Sequence, residues 1–272
     1  MTDVTRIMLF SDMDGTLLGD NMSVSEKNKK AIDRFIEAGG TFGIATGRSQ
    51  VNVKPFIEGV SINGPSILYN GAMLYDFYQE KVVDVVTLEK EGLKDVMKWI
   101  LQTYPEVMIF VYTKEESHLL SGKDLADESI LKDHEPYVVS ELSRIEQESW
   151  VKILLAGIWE DLEAIRRHLE EKDPAHYRWV SSSDIFLEIL PAHVSKSTMF
   201  PKLKKTFGEE MRIVVLGDYY NDEEMLKEAD YSVAMGNAPE ELKALAKDVT
   251  GFNYEDGVAQ FIERLLEGTV EI

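Results

Sequence analysis

Asp12-Met13-Asp14-Gly15-Thr16 sets two carboxylates one residue apart, beside a glycine and a hydroxyl. A carboxylate can attack phosphorus and form an acyl phosphate, while a second carboxyl group handles the leaving-group proton. Gly15 lets the backbone turn sharply beside a ligand. The same stretch reads equally as a polar turn whose Asp caps the next segment. Two other readings fail. No Gly-rich GxGxxG follows, which a dinucleotide fold needs, and an EF-hand loop starting at Asp12 would need Gly where Leu17 stands.

Three further stretches carry complementary groups. Thr46-Gly47-Arg48 offers a hydroxyl and a backbone amide that can donate to a phosphoryl oxygen, although a Thr cap before a helix explains it as well. Lys196, in His193-Val194-Ser195-Lys196-Ser197, is one lysine among many, yet phosphoryl transfer needs such a cation. Gly217-Asp218-Tyr219-Tyr220-Asn221-Asp222 supplies carboxylates able to hold a hard cation such as Mg²⁺. Asp222, Glu223 and Glu224 also suit a helix N-terminus. Together the four stretches hold what metal-assisted phosphoryl transfer through an aspartyl phosphate requires.

The elements that must position them are legible as apolar runs. Ile7–Ser11, Thr41–Thr46, Pro65–Tyr69, Arg212–Leu216 and Tyr231–Met235 read as strands. Ser23 and Glu26 fit a capping box for a helix with Ala31, Ile32, Phe35 and Ile36 on one face, stopped by Gly39-Gly40. Val51–Glu58, Asn221–Glu228, Pro239–Ala246 and Val258–Leu266 read as helices. Asn70-Gly71 signals a hairpin that returns through Ala72–Tyr75. Three of the four stretches thus follow strands of a parallel sheet, where ligands collect.

The middle breaks this alternation. Val82–Leu88, Val107–Thr113, Trp150–Gly157, Tyr177–Ser181 and Ile185–Leu190 read as strands, with helices at Gly92–Thr103 and Asp161–Lys172. The expected organisation is a core of residues 1–82 and 191–272 with an α+β insert of residues 83–190.

Of 272 residues, 44% are hydrophobic and 29% charged, which excludes a disordered chain and a membrane protein. The net charge of −20 argues against nucleic acid or anionic lipid as main partner. With no cysteine, thiolate chemistry and Cys-based metal sites are excluded. The apolar run Ile7–Phe10 is too short for a secretory signal, so a soluble cytoplasmic protein is expected.

The order DMDGT, TGR, lysine, GDYYND resembles the four motifs of the haloacid dehalogenase superfamily of phosphohydrolases. Asn70-Gly71-Ala72, Ala234-Met235-Gly236-Asn237-Ala238 and Asp256-Gly257-Val258-Ala259 resemble its Cof-type sugar-phosphatase-like members, whose α+β cap is inserted after the second motif. The resemblance implies an α/β fold: a Rossmann-like doubly wound parallel sheet with an inserted cap domain that closes over the site and selects the substrate. It implies Asp12 as nucleophile and Mg²⁺ ligand. Asp14 becomes the general acid/base, with its carbonyl on the metal. Thr46 and Lys196 hold the phosphoryl group, and Asp218 and Asp222 complete the metal site. Gly47, Arg48, Asn70, Gly71 and Asn221 fall on the substrate or phosphate side.

The implied activity is Mg²⁺-dependent hydrolysis of small phosphorylated metabolites, sugar phosphates among them. A phosphomutase or phosphotransferase would use the same residues, and a non-catalytic regulatory binding protein would use the same fold. Tyr219 stands where the family usually has Gly, and Pro201 falls about a turn into the helix expected after Lys196. In the insert, His118, Arg144, Arg178 and Glu188 are possible substrate contacts, though packing or surface roles fit them better.

Overall fold

The computed structural model describes residues 3–121, 136–172, 176–183 and 185–272. They divide into two compact units, Met1–Asp84 with Ser195–Ile272, and Val85–Val194. In chain order the strands are β1 (Ile7–Ser11), β2 (Thr41–Ile44), β3 (Ser66–Leu68), β4 (Met73–Asp76) and β5 (Lys81–Val85). Next come β6 (Met108–Thr113), β7 (Ser117–Ser121), β8 (Tyr137–Val139), β9 (Trp150–Ala156), β10 (Tyr177–Ser183) and β11 (Phe186–Pro191). The last three are β12 (Arg212–Gly217), β13 (Tyr231–Ala234) and β14 (Asp248–Val249).

The first unit is built on a parallel sheet of order β14-β13-β12-β1-β2. Its central strands read IMLFS and RIVVLG and are buried almost throughout, because helices cover both faces of such a sheet. Helix α1 (Glu26–Glu37) buries Ala31, Ile32 and Phe35 and packs beside the C-terminal helix Gly257–Glu267. Buried Asn28 ties the two, accepting the Ala259 N–H at 2.9 Å.

Several expectations are corrected in detail. The cap of α1 is Ser25, whose Oγ accepts the Asn28 N–H at 3.0 Å. Ser23 is engaged instead with Asn21, at 2.9 Å. The helix expected over Val51–Glu58 is one turn, α2 (Gln50–Val53), followed by a 3₁₀ turn at Lys54–Phe56. Pro55 has no N–H with which to continue the α-helical ladder. The strand expected at Val82–Leu88 is β5, which joins the β3–β4 hairpin in a separate sheet of order β3-β4-β5. Pro201 lies in the first turn of helix Phe200–Phe207, where its missing donor breaks no bond.

The second unit is a sheet of order β10-β11-β9-β6-β7-β8. Its pairs are antiparallel except β7 with β8. Val107, Ile109, Val111, Ile153, Leu155, Leu187 and Ile189 pack against Val96, Met97 and Ile100 of helix Leu93–Thr103 and against Leu162, Ile165 and Leu169 of helix Trp159–Lys172. His118 is buried 3.0 Å from Ser140 Oγ, and Glu188 pairs with Lys152 at 3.2 Å. Arg178 donates to the Val194 carbonyl, and Arg144 is exposed on a short helix, Leu142–Ile145. Among the described residues no helix is long and apolar enough to cross a membrane.

The cap assignment is open to measurement. Ser25→Ala should lower unfolding free energy by about 1 kcal/mol. Ser23→Ala should change it by less than about 0.5 kcal/mol. Urea titrations followed by circular dichroism check both; the reverse order would restore the Ser23 cap.

Candidate active site

Asp12 directly follows β1 and Asp218 directly follows β12, and the two strands are adjacent and parallel, so both carboxylates emerge at one sheet edge. The Asp12 N–H continues the ladder to the Leu216 carbonyl at 2.9 Å, which fixes where the chain leaves the sheet. Residues Met13–Leu17 then form an irregular turn. Gly15 has φ +77°, and a Cβ there would lie 2.3 Å from Asp218 Oδ2. Only glycine lets this turn close down on Asp218.

A 3₁₀ turn at Tyr220–Asp222 brings Asp222 back beneath the same edge. One oxygen each from Asp12, Asp218 and Asp222 lies within 4.8 Å of the others, and all three residues are buried. Lys196 enters this cluster with its side chain 0% exposed, and Nζ donates to Asp12 Oδ1 and Asp222 Oδ1, each at 2.6 Å. The second Asp222 oxygen accepts the backbone N–H groups of Asp218 (2.9 Å) and Tyr219 (3.2 Å).

The remaining expected residues form a second group. Thr46 is buried past the end of β2; its N–H donates to the Ile67 carbonyl at 2.8 Å, and its Oγ1 accepts the Arg48 N–H at 3.2 Å. Asn70 N–H donates to the Thr46 carbonyl at 3.0 Å, and the Asn70 amide lies against Gly47. Arg48 grips Asp14 along one edge of the guanidinium, Nε donating to Oδ2 at 2.8 Å and Nη2 to Oδ1 at 2.6 Å, and sits 4.4 Å over the Phe56 ring. The Asp14 carboxylate, 47% exposed, is therefore outside the buried cluster. Asn221 is half-buried in the 3₁₀ turn. Tyr219 is 56% exposed, its ring edge-on to Tyr220, whose hydroxyl donates to Glu241.

Two residues with no role in the sequence reading also orient the site. Thr16 Oγ1 donates to Asp218 Oδ1 at 2.9 Å. Asn237 Nδ2 donates to the Gly15 carbonyl at 2.8 Å and to Asp218 Oδ2 at 3.2 Å. Thr16 lay inside the first motif and Asn237 inside a recognised tail, but neither carries a reactive group that marks it.

Electrostatics show what the cluster lacks. Burial, then the charge of Asp222, pushes the Asp12 carboxyl well above its ordinary range. The same two causes push Asp218 up to about 6. Burial alone would push the Lys196 ammonium down, but Asp12 and Asp222 outweigh it and hold it above its usual value. Three carboxylates face one ammonium, so the pocket carries excess negative charge. Its donors are hard oxygens, which fit Mg²⁺ and offer nothing to a soft metal.

The haloacid dehalogenase-like hydrolase family matches residues 9–262. The chain belongs to the haloacid dehalogenase-like hydrolases. This hydrolase is 31% identical to a 5-amino-6-(5-phospho-D-ribitylamino)uracil phosphatase of Bacillus subtilis, over 94% of the chain and 97% of the relative. It is 27% identical to the pyridoxal phosphate phosphatase of Escherichia coli, over 95% and 97%. A Thermotoga maritima crystal structure, 29% identical, superposes with a TM-score of 0.82 over 95% of this chain and 97% of that one. A haloacid dehalogenase-like hydrolase from Bacteroides thetaiotaomicron, 26% identical, gives 0.80 over 95% and 98%. The expected family, its Cof-type character and the α/β fold with its separate second sheet are all borne out.

The raised carboxyls set a sign for pH. A carboxyl lifted on folding favours the native state below its unfolded value and loses that contribution as pH rises through its folded value, about 6 for Asp218. A divalent cation held by these oxygens would take the ionised forms, so its stabilisation should grow over the same interval. Saturating Mg²⁺ should raise the melting temperature by about 5 °C at pH 7.5 and far less at pH 5. Calorimetric scans check this; equal increments at both pH values, or an undiminished increment in Asp218→Asn, would contradict it.

Proposed function

We propose that this hydrolase is a Mg²⁺-dependent phosphatase of small phosphorylated metabolites, sugar phosphates among them, working through an aspartyl phosphate on Asp12. The observation that carries the reading is Lys196, buried at 2.6 Å from both Asp12 and Asp222 with Asp218 alongside. The lysine offsets part of the cluster's negative charge and orients one carboxylate oxygen of Asp12 while leaving the carboxylate as nucleophile.

In this reading a carboxylate oxygen of Asp12 attacks phosphorus and the ester P–O bond breaks. The departing oxygen takes a proton from Asp14. Water then attacks the phosphorus of the acyl phosphate, giving up its proton to Asp14, and inorganic phosphate leaves with Asp12 regenerated. Asp14 must part from Arg48 to reach the leaving oxygen. Thr46 and the Gly47 amide donate to phosphoryl oxygens, with Lys196, Arg48, Asn70 and Asn221 on the same side. Asp12 and Asp218, with the Asp14 carbonyl, would hold Mg²⁺, which would supply charge screening between nucleophile and phosphate. Asp222 fixes Lys196 and the Asp218–Tyr219 backbone and adds its charge to the metal site.

The relatives named for a phosphoribityl compound and for pyridoxal phosphate support a small phosphorylated substrate. The net charge of −20 disfavours nucleic acid. Residues 83–190 act as the cap that selects among substrates.

Asp12→Asn is nearly isosteric and should keep the fold while lowering turnover of an aryl phosphate by at least about 10³-fold. Phosphate release, with near-UV circular dichroism as the folding control, decides it. A folded variant that keeps most of its activity removes Asp12 as nucleophile. Chelation should silence the wild-type protein and Mg²⁺ restore it; full activity after exhaustive chelation removes the metal.

A further inference from the structure

Behind the catalytic cluster lies a contact that none of the assigned roles requires. The turn between β3 and β4 holds three successive residues in the left-handed region: Tyr69 (φ 50°), Asn70 (φ 53°) and Gly71 (φ 102°). That conformation is costly for a buried aromatic residue, and Tyr69 is buried. Strain of this kind persists only where surrounding structure enforces it.

Two sets of contacts enforce it. On one side the turn is strapped to the phosphate-side loop: Tyr69 N–H donates to the Arg48 carbonyl at 3.1 Å and Asn70 N–H to the Thr46 carbonyl at 3.0 Å. On the other side Gly71 presses against the backbone that precedes the buried lysine. A Cβ on Gly71 would lie 1.7 Å from the Ser195 carbonyl oxygen, 2.5 Å from its carbon and 3.1 Å from the Lys196 nitrogen. The obstacle is backbone, so no side-chain rotation relieves it. That carbonyl accepts the Thr198 N–H at 2.9 Å, while Ser195 N–H donates to Thr198 Oγ1 at 2.7 Å, so it is itself held.

We propose that Gly71 is a positioning residue: the left-handed turn is a spacer that sets the distance between Thr46 and Lys196, and so places the lysine for phosphate. This rests on the phosphatase reading above. A methyl group at 71 would overlap the Ser195–Lys196 backbone, and because the turn is strapped to the Thr46–Arg48 loop on its other side, it is the lysine segment that must move, carrying Lys196 away from phosphate.

The test is a double-mutant cycle of Gly71→Ala with Lys196→Ala, read in two ways. One readout is kcat on an aryl phosphate, and the other is the affinity for inorganic phosphate with Mg²⁺ present, by calorimetry. Gly71→Ala alone should lower kcat by about 10²-fold and weaken phosphate binding. In the Lys196→Ala background it should lower neither further, because it acts through the lysine. Additive losses, or a Gly71→Ala protein with wild-type kcat and phosphate affinity, overturn the proposal. If Gly71→Ala does not fold, Thr198→Val, which loosens the same Ser195 backbone without adding bulk, takes its place in the cycle. A wild-type protein that binds phosphate but cleaves no ester defeats the phosphatase reading and leaves the calorimetric cycle to judge this one. A wild-type protein that binds no phosphate defeats both.

Discussion

A lysine with no exposure to solvent is held by two carboxylates, Asp12 and Asp222, and much of the first unit exists to make that arrangement possible. Burying an ammonium is expensive unless its partners are well placed, and removing one partner of such a pair costs about 3–5 kcal/mol. The three residues come from places remote in sequence: the end of one central strand, the turn after its neighbour, and the segment that re-enters the unit at Ser195. Their convergence therefore demands the parallel register of β1 with β12. It also demands a third carboxylate kept close without collapse, which Thr16 and Asn237 provide by donating to Asp218. The cluster keeps excess negative charge, an arrangement that suits a divalent cation.

The acidic part of this cluster was legible because Asp12, Asp218 and Asp222 each stand within a few residues of a short apolar strand. Buried parallel strands are short apolar runs, so Ile7–Ser11 and Arg212–Gly217 announce themselves, and the residues following each must surface at one sheet edge. The supporting part was not legible, because it consists of single hydrogen bonds between distant segments. Asn237 reaches Gly15 across more than two hundred residues, and an amide leaves no pattern in sequence. Ser25, directly before the helix, accepts the Asn28 N–H, whereas Ser23 donates its hydroxyl to Asn21, a difference the spacing of Ser23 and Glu26 does not encode.

In the second unit the central strands were legible for the same reason as in the first. β7 (SHLLS) and β8 (YVV) were not, being short and mixed in character. β5 was seen as a strand but placed with the wrong neighbours. Its residues are exposed or half-buried, so its composition says nothing about which sheet it extends. Edge strands take their identity from tertiary pairing rather than from their own residues.

The sheet order has a consequence for synthesis. β1 lies between β2 and β12, and β12 is made only after the whole inserted segment has been translated. As the chain leaves the ribosome, β1 and β2 can pair early, but the other edge of β1 must wait for residues 212–217. The residues 85–194 form their sheet among themselves and can fold while that edge is still open. The insert is thus the first part able to mature on a nascent chain. The unit that carries Asp12 remains an unfinished, strand-exposing intermediate until nearly the last quarter of translation, the stage at which a chaperone has most to protect.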